Sequence, residues 1–325
     1  MASQLPAPLR AAILDINTGR SLLGIAEKSR RISDTYRAGG TSSGVRDEDD
    51  VAAYLFARLP ATFAAVDAAL SELQSLKPDF LPTSVLDIGC GPGTALFAAL
   101  ERFPGITSLS GLDANERFLV AAQDMMNRTG YAASKEIEFR RGDFRKAIKP
   151  DERADLVIMA YALAETPEAL AESVASQLFA ATRQALVLVE PGSTAGFGRI
   201  RLAREALVKA GAHILAPCTH QARCPIIAPD WCHFSVRLAR SREHQRAKSA
   251  TVPYEDEKFS YLVALRDPVK AHPASRIIAP AHVGKGETAF KICNETGIEI
   301  RHISRRSPEF GAIRKREWGE ILPKP

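Results

Sequence analysis

Two sets of residues in this 325-residue chain have types and spacing suited to chemistry. The first begins at VLDIGCGPGT, residues 85–94, where an apolar run ends at Asp87 and passes through Gly89, Gly91 and Gly93 into an apolar, helix-like stretch. Glycine lets the backbone turn sharply there and approach a ligand with no Cβ in the way. The spacing is G-x-G-x-G and not the G-x-G-x-x-G of the nicotinamide-binding turn. Further on, SLSGLD closes in Asp113, 26 residues beyond Asp87, an acidic group able to accept from both hydroxyls of a ribose. RRGDF then supplies Asp143, suited to the amino group of an adenine, and Phe144, suited to its ring. In order, these features describe a nucleoside-binding crevice. Taken singly, Asp143 would serve equally well as a helix cap and Phe144 as core.

The second set is Cys218-x5-Cys224-x7-Cys232-x60-Cys293, with Pro217, Pro225 and Pro229 stiffening its first part. Four thiolates suit a [4Fe–4S] cluster or a structural zinc. Zinc sites draw their thiols in close C-x2–4-C pairs, which are missing here, so the spacing favours iron–sulfur. His220 and His233 keep zinc open, and four unligated core cysteines are a third reading. The C-x3-C-x2-C of enzymes that cleave S-adenosylmethionine to a radical is absent. The remaining thiol, Cys90, sits in the glycine loop, where its backbone matters more than its sulfur.

The elements that must position these groups follow from periodicity. Residues 1–75 carry apolar side chains at helical spacing in LRAAILDIN, SLLGIAEKSRRISDTYR and DDVAAYLFARLPATFAAVDAALSEL, broken by the polar loop AGGTSSG. Asp47 or Asp49 is placed to cap the third helix, and Pro60 to kink or divide it. From residue 84, SVLDIG, SLSGLD, EIEFRRGD, ADLVIMAYAL and QALVLVEPG alternate with helical stretches. That alternation predicts an α/β fold, a doubly wound and mostly parallel sheet with helices on both faces. A further helix is expected over 199–212 and a basic, helix-like stretch over SVRLARSREHQRAKSA. FSYLVALR, RIIAPAHV, TAFKICNETG and IEIRHISRR read as strands, with a turn at 295–297. The expected organisation is an N-terminal helical region (1–80), a nucleoside-binding core (81–212) and a Cys-rich, basic, partly β region (213–325).

Charge divides along the same line. Residues 1–194 hold 20 Lys and Arg against 25 Asp and Glu; residues 195–325 hold 23 against 13. A basic half on an acidic one suggests a polyanionic partner, with RNA the natural candidate. Arg237, Arg240, Arg242, Arg246 and Lys248, with Arg305, Arg306, Arg314, Lys315 and Arg316, are the candidate phosphate contacts, and Trp231, Tyr254 and Phe259 the candidate stacking groups. The acidic run Glu255, Asp256, Glu257 argues against one uninterrupted basic face. No apolar run approaches a membrane span and no leader is evident, so a cytoplasmic location with no membrane partner is expected.

VLDIGCGPGT resembles the first motif of class I methyltransferases, with MAYAL (159–163) beside the expected sulfonium of S-adenosylmethionine. The stretch after it, MAYALAET, lacks the Asn- or Asp-Pro-Pro-aromatic motif of base N-methylation and a cysteine nucleophile for cytosine C5, so no catalytic residue is assigned. Together with AYALAE, VEPGSTAGF, CTHQARCP, DWCHF, YEDEKFSYL and Cys293, the chain resembles the methyltransferase-like family of mitochondrial small-ribosomal-subunit proteins and their bacterial relatives. That resemblance implies a [4Fe–4S] cluster on Cys218, Cys224, Cys232 and Cys293. It also implies S-adenosylmethionine at Asp87, Gly89, Gly91 and Gly93, and association with small-subunit RNA, and with ribosomal proteins, during assembly. The competing expectation is a zinc-stapled methyltransferase acting on a small molecule or protein.

Overall fold

The computed structural model describes residues 3–37, 40–146, 153–240, 245, 251–269 and 274–323. Helices α1 (Ala7–Ile16), α2 (Leu22–Arg37), α3 (Glu48–Ala57) and α4 (Leu59–Leu76) open the chain. Asp47 caps α3 by accepting from the Asp50 N–H at 2.7 Å. Pro60 falls in the first turn of α4, where a missing N–H is harmless, and the two helices meet at 48°. Phe63, Val66, Leu70 and Leu73, one apolar stripe of α4, are buried in the main core. No single described helix is long and apolar enough to cross a membrane.

Asp50 ties α2 to α3. It is buried, takes Lys28 at 3.0 Å, the Arg31 guanidinium at 2.5 Å and the Arg46 N–H at 2.9 Å. Burial opposes the charge, but these donors win and hold its carboxyl down to about 2.

The five expected strands form as β1 (Ser84–Ile88), β2 (Ser108–Asp113), β3 (Glu136–Arg141), β4 (Ala154–Ala160) and β5 (Thr182–Pro191), with α5 (Thr94–Arg102), α6 (Glu116–Thr129) and α7 (Ala171–Ala180) between them. After β5 come α8 (Thr194–Lys209), β6 (His213–Ala216), β7 (Phe234–Ala239) and the long β8 (Tyr254–Leu265). The sheet order is β3-β2-β1-β4-β5-β8-β6, with β7 also paired to β8. β1 to β5 run parallel; β8 is antiparallel to β5, β6 and β7. This is the doubly wound sheet of class I methyltransferases. The order reverses between β1 and β4, and ligands of such sheets bind at the carboxyl ends of the strands there.

The last stretch of chain builds a second, antiparallel sheet from β9 (Ala274–Ile277), β10 (His282–Val283), β11 (Glu287–Asn294), β12 (Gly297–Ser304) and β13 (Ile321–Pro323), with α9 (Phe310–Ile313) packed on it. The turn at 295–297 joins β11 to β12 as expected.

Two expectations are corrected. The basic stretch after residue 234 begins as strand β7, not helix: Phe234, Val236 and Leu238 point inward while Ser235 and Arg237 face out, a period of two. Its pairing with β8 overrides the apparent helical pattern. Arg242, Arg246 and Lys248 lie outside the described residues. Strand β6 was not anticipated; at four residues it is too short to stand out from the helix before it.

Candidate cofactor cleft and thiol pocket

The end of β1 opens into a turn that only glycine can make. Gly89, Gly91 and Gly93 have φ of 71°, 51° and 79°, and a Cβ on Gly89 would stand 2.4 Å from Cβ of Ala162. The Gly89 and Cys90 N–H groups donate to the Leu112 carbonyl at 2.7 and 3.0 Å, fastening the loop to β2. Above it lies an open cleft of about 1740 Å³ lined by Gly89, Gly91, Asp113, Asp143, Phe144 and Tyr161, among others.

The expected residues are not equivalent. Asp113, at the end of β2, accepts from the Gly91 N–H at 2.8 Å and the Asn115 N–H at 2.7 Å, so its carboxylate is fixed on the cleft wall with lone pairs to spare. Asp143 lies on the wall too, but both its oxygens are engaged by the Arg145 guanidinium at 2.7 Å, which lowers its pKa. Phe144 stands beside Gly89. Asp87 is buried beneath the loop, does not line the cleft, and neither oxygen has a partner. Burial first, then the charge of Asp113, raises its pKa well above the carboxylate range.

Four further groups were missed. The 40–45 loop covers one side of the cleft, held by Glu165, which accepts from the Ser42 N–H at 3.0 Å, and by Asn115, which donates to the Ser42 carbonyl at 3.0 Å. Burial pushes the Glu165 carboxyl up to about 7. Glu190, at the end of β5, accepts from the Leu163 N–H at 3.0 Å through one oxygen; the other has no partner, and burial pushes it up to about 8. Arg58 and Tyr161 line the far side. Tyr161 has φ of 60°, rare for a non-glycine residue, and its hydroxyl donates to Glu257 at 2.9 Å. Tyr161 and Glu165 belong to AYALAE and Glu190 to VEPG, so the motifs flagged the segments without revealing which side chains turn inward.

The four cysteines come together in a second pocket. Cys218, Cys224, Cys232 and Cys293 line one cavity of about 570 Å³ between α8, β8 and the second sheet. Burial pushes the Cys293 thiol up to about 12 and raises Cys232 well above its usual value, with the neighbouring thiols adding to both shifts. Among the described residues no three ligating side chains already stand at metal-binding spacing, so the thiols line the pocket without closing a ligand shell. His220 Nε2 lies 3.8 Å from Cys293 Sγ. His233 instead stacks on Trp231, with ring centroids 4.9 Å apart.

Two arginines on the same wall were also missed. Arg204 is 3% exposed and Arg276 2% exposed. Arg276 sits opposite Cys293 in the β9–β11 pairing and takes Glu72 of α4 at 2.8 Å. A charged residue inside the apolar run ASRII was the available signal.

Of the stacking candidates, Phe259 is core, and Trp231 donates its indole N–H to the Gly192 carbonyl at 3.0 Å. Tyr254 carries the Arg237 guanidinium over its ring at 4.1 Å. Arg237 pairs with Asp256 at 2.7 Å and Arg240 with Glu255 at 3.1 Å, so the acidic run neutralises β7. Arg316 pairs with Glu320 at 3.3 Å; Arg305, Arg306, Arg314 and Lys315 are exposed.

A family model described as "Mitochondrial small ribosomal subunit Rsm22" matches residues 48–323. The human "Ribosome assembly protein METTL17, mitochondrial" is 28% identical over 289 residues, covering 83% of this chain and 62% of its own length. The "Rsm22-cox11 tandem protein 2, mitochondrial" of Schizosaccharomyces pombe is 25% identical over 334 residues, covering 87% of this chain and 44% of its own. The chain thus spans less than two thirds of the length of either relative. Among solved structures, magnesium protoporphyrin IX methyltransferase (ChlM) from Synechocystis PCC 6803 with bound SAH aligns with a TM-score of 0.43 at 17% identity, over 74% of this chain and 100% of that one. With a family match over most of its length, the chain belongs to the Rsm22 family of mitochondrial small-ribosomal-subunit proteins.

Proposed function

We propose that this chain is an assembly protein of the small ribosomal subunit that binds S-adenosylmethionine in the cleft and a [4Fe–4S] cluster in the thiol pocket. Family membership over residues 48–323 carries this reading. The name of the human relative, a ribosome assembly protein, supports it. A cytoplasmic location belongs to the same proposal, although the relatives' names place them in mitochondria.

In the cleft, the glycine loop lets the methionine part of the cofactor approach the backbone, Asp113 takes the ribose hydroxyls, and Phe144 lies against the adenine. Asp143 reaches the adenine amino group only if its pair with Arg145 parts. Asp87 acts from below, shaping the loop. Bound, the cofactor supplies an electrophilic methyl group; the residues described bind and orient it, and none is assigned to proton transfer. In the pocket, the donor set fits the cluster: four thiols from two distant stretches share one cavity with buried cationic side chains, as an anionic centre requires. The exposed Arg305, Arg306, Arg314 and Lys315 then offer the phosphate contacts, displaced from β7 toward the C-terminal sheet.

The test is crosslinking and sequencing of RNA bound to the wild type and to Cys224→Ser. Discrete small-subunit RNA sites that weaken steeply with salt and vanish in the variant are expected. Absent or salt-insensitive association would overturn the reading. Zinc without iron or sulfide in anaerobically purified protein would favour the zinc-stapled methyltransferase instead.

A further inference from the structure

The thiol pocket holds more than thiols. Arg204 uses one terminal nitrogen, Nη2, to donate to the His220 and Ala222 carbonyls at 3.0 and 2.7 Å. Arg276 donates through Nε to the Pro217 carbonyl at 2.8 Å, and through Nη1 to Glu72 at 2.8 Å and the Gly319 carbonyl at 2.5 Å. Those contacts fix both guanidiniums in place and leave Nε of Arg204 and Nη2 of Arg276 buried without any acceptor. Native structures rarely leave buried donors unmet, least of all on a charged group. Arginine cannot relieve the problem by losing its proton. Among the described residues Glu72 is the one carboxylate paired with either arginine, so the pocket carries surplus positive charge.

The thiols are the groups nearest in chemistry to these donors. The charges of Arg204 and Cys293 act on each other, as do those of Arg204 and Cys224, and of Arg276 and both Cys232 and Cys218. A cluster bound by four thiolates is anionic and offers sulfur acceptors on every face. We infer that Arg204 and Arg276 are the cluster's own counter-ions and hydrogen-bond donors, directing N–H groups at its sulfurs and raising its reduction potential. The inference rests on the iron–sulfur reading above. Positive charge and N–H···S bonds both favour the more electron-rich state, which is the origin of the sign.

The experiment uses the full chain, reconstituted anaerobically with ferrous iron and sulfide, as wild type, Arg204→Lys and Arg204→Met. Iron and sulfide are assayed first; the midpoint is then measured as dithionite delivers one electron to the cluster, with no bond made or broken. Arg204→Lys should load iron and sulfide like the wild type yet show a more negative midpoint, and Arg204→Met a more negative one still. Should either variant fold poorly, the wild type labelled with ¹⁵N-arginine decides alone, because pulsed EPR of the reduced cluster should detect coupling to the guanidinium nitrogens. Coincident midpoints in loaded variants, or no nitrogen coupling, would overturn the inference while leaving the cluster intact. A wild type that takes up no iron and sulfide would sink the cluster reading and this inference with it.

Discussion

The cofactor cleft and the thiol pocket bury opposite charges, and they differ in how well each can stand empty. The cleft's surplus lies on carboxyls: Asp87 beneath the glycine loop, Glu165 on the wall and Glu190 behind it. Each can accept a proton, and burial raises the pKa of each. The pocket's surplus lies on Arg204 and Arg276, which keep their charge at any working pH. An empty cleft is therefore neutralised by water's protons, whereas an empty pocket keeps unpaired cations facing protonated thiols. The lesson is that a tolerant site and a demanding one can share a sheet, distinguished by which of their charges can be titrated away.

Removing the pocket's occupant should have the largest effect. Anaerobic chelation is expected to lower Tm by roughly 10 °C or more, because binding free energy here is also folding free energy. Stripping the cofactor should move Tm by a few degrees at most, and equal shifts in calorimetry would break the contrast. Next, Asp113→Ala should weaken S-adenosylmethionine by about 100-fold in titration calorimetry, as a charged hydrogen-bonding group is lost together with the anchor for the Gly91 N–H. Iron content should not change.

Asp50→Asn should cost about 2 kcal/mol in denaturant unfolding and leave both ligands bound, since Asp50 is fully paired and belongs to neither site. Its folded pKa, about 2, lies below the ordinary 3.8, so its contribution is present above pH 3.8 and lost as pH falls through 2. The cleft carboxyls behave in the opposite sense. Glu165 and Glu190 have folded values of about 7 and about 8 against an ordinary 4.5, so their contribution is full below pH 4.5 and is lost as pH rises through 7 and then 8. The smallest effect sharpens the same point: Asp87→Asn should gain about 1 kcal/mol at pH 7 and nothing near pH 3, because only at neutral pH does folding force a proton onto Asp87. A gain independent of pH would show that the benefit is packing rather than charge.

Much of this was legible in the sequence. The alternation of short apolar runs with helical stretches gave all five parallel strands, and the glycine spacing located the turn after β1. Both signals are local and periodic. What escaped depended on contacts far along the chain. β7 carries an alternating pattern but was masked by the basic residues that follow it, and only β8 makes it a strand. Glu72 and Arg276 are 204 residues apart and meet through tertiary packing alone. The cysteine spacing suggested a shared centre, yet nothing in it hinted that two arginines would line the same wall. Nor could the sequence show that β7's positive charges are answered by Glu255 and Asp256, which moves the exposed basic surface to residues 305–315.

The most direct test is the content of the wild-type chain purified without oxygen. The account predicts iron and acid-labile sulfide in equal amounts, as many irons as the pocket has thiols, and S-adenosylmethionine that can be dialysed away without unfolding. Zinc in place of iron and sulfide, or a metal-free chain as stable as the loaded one, would contradict it.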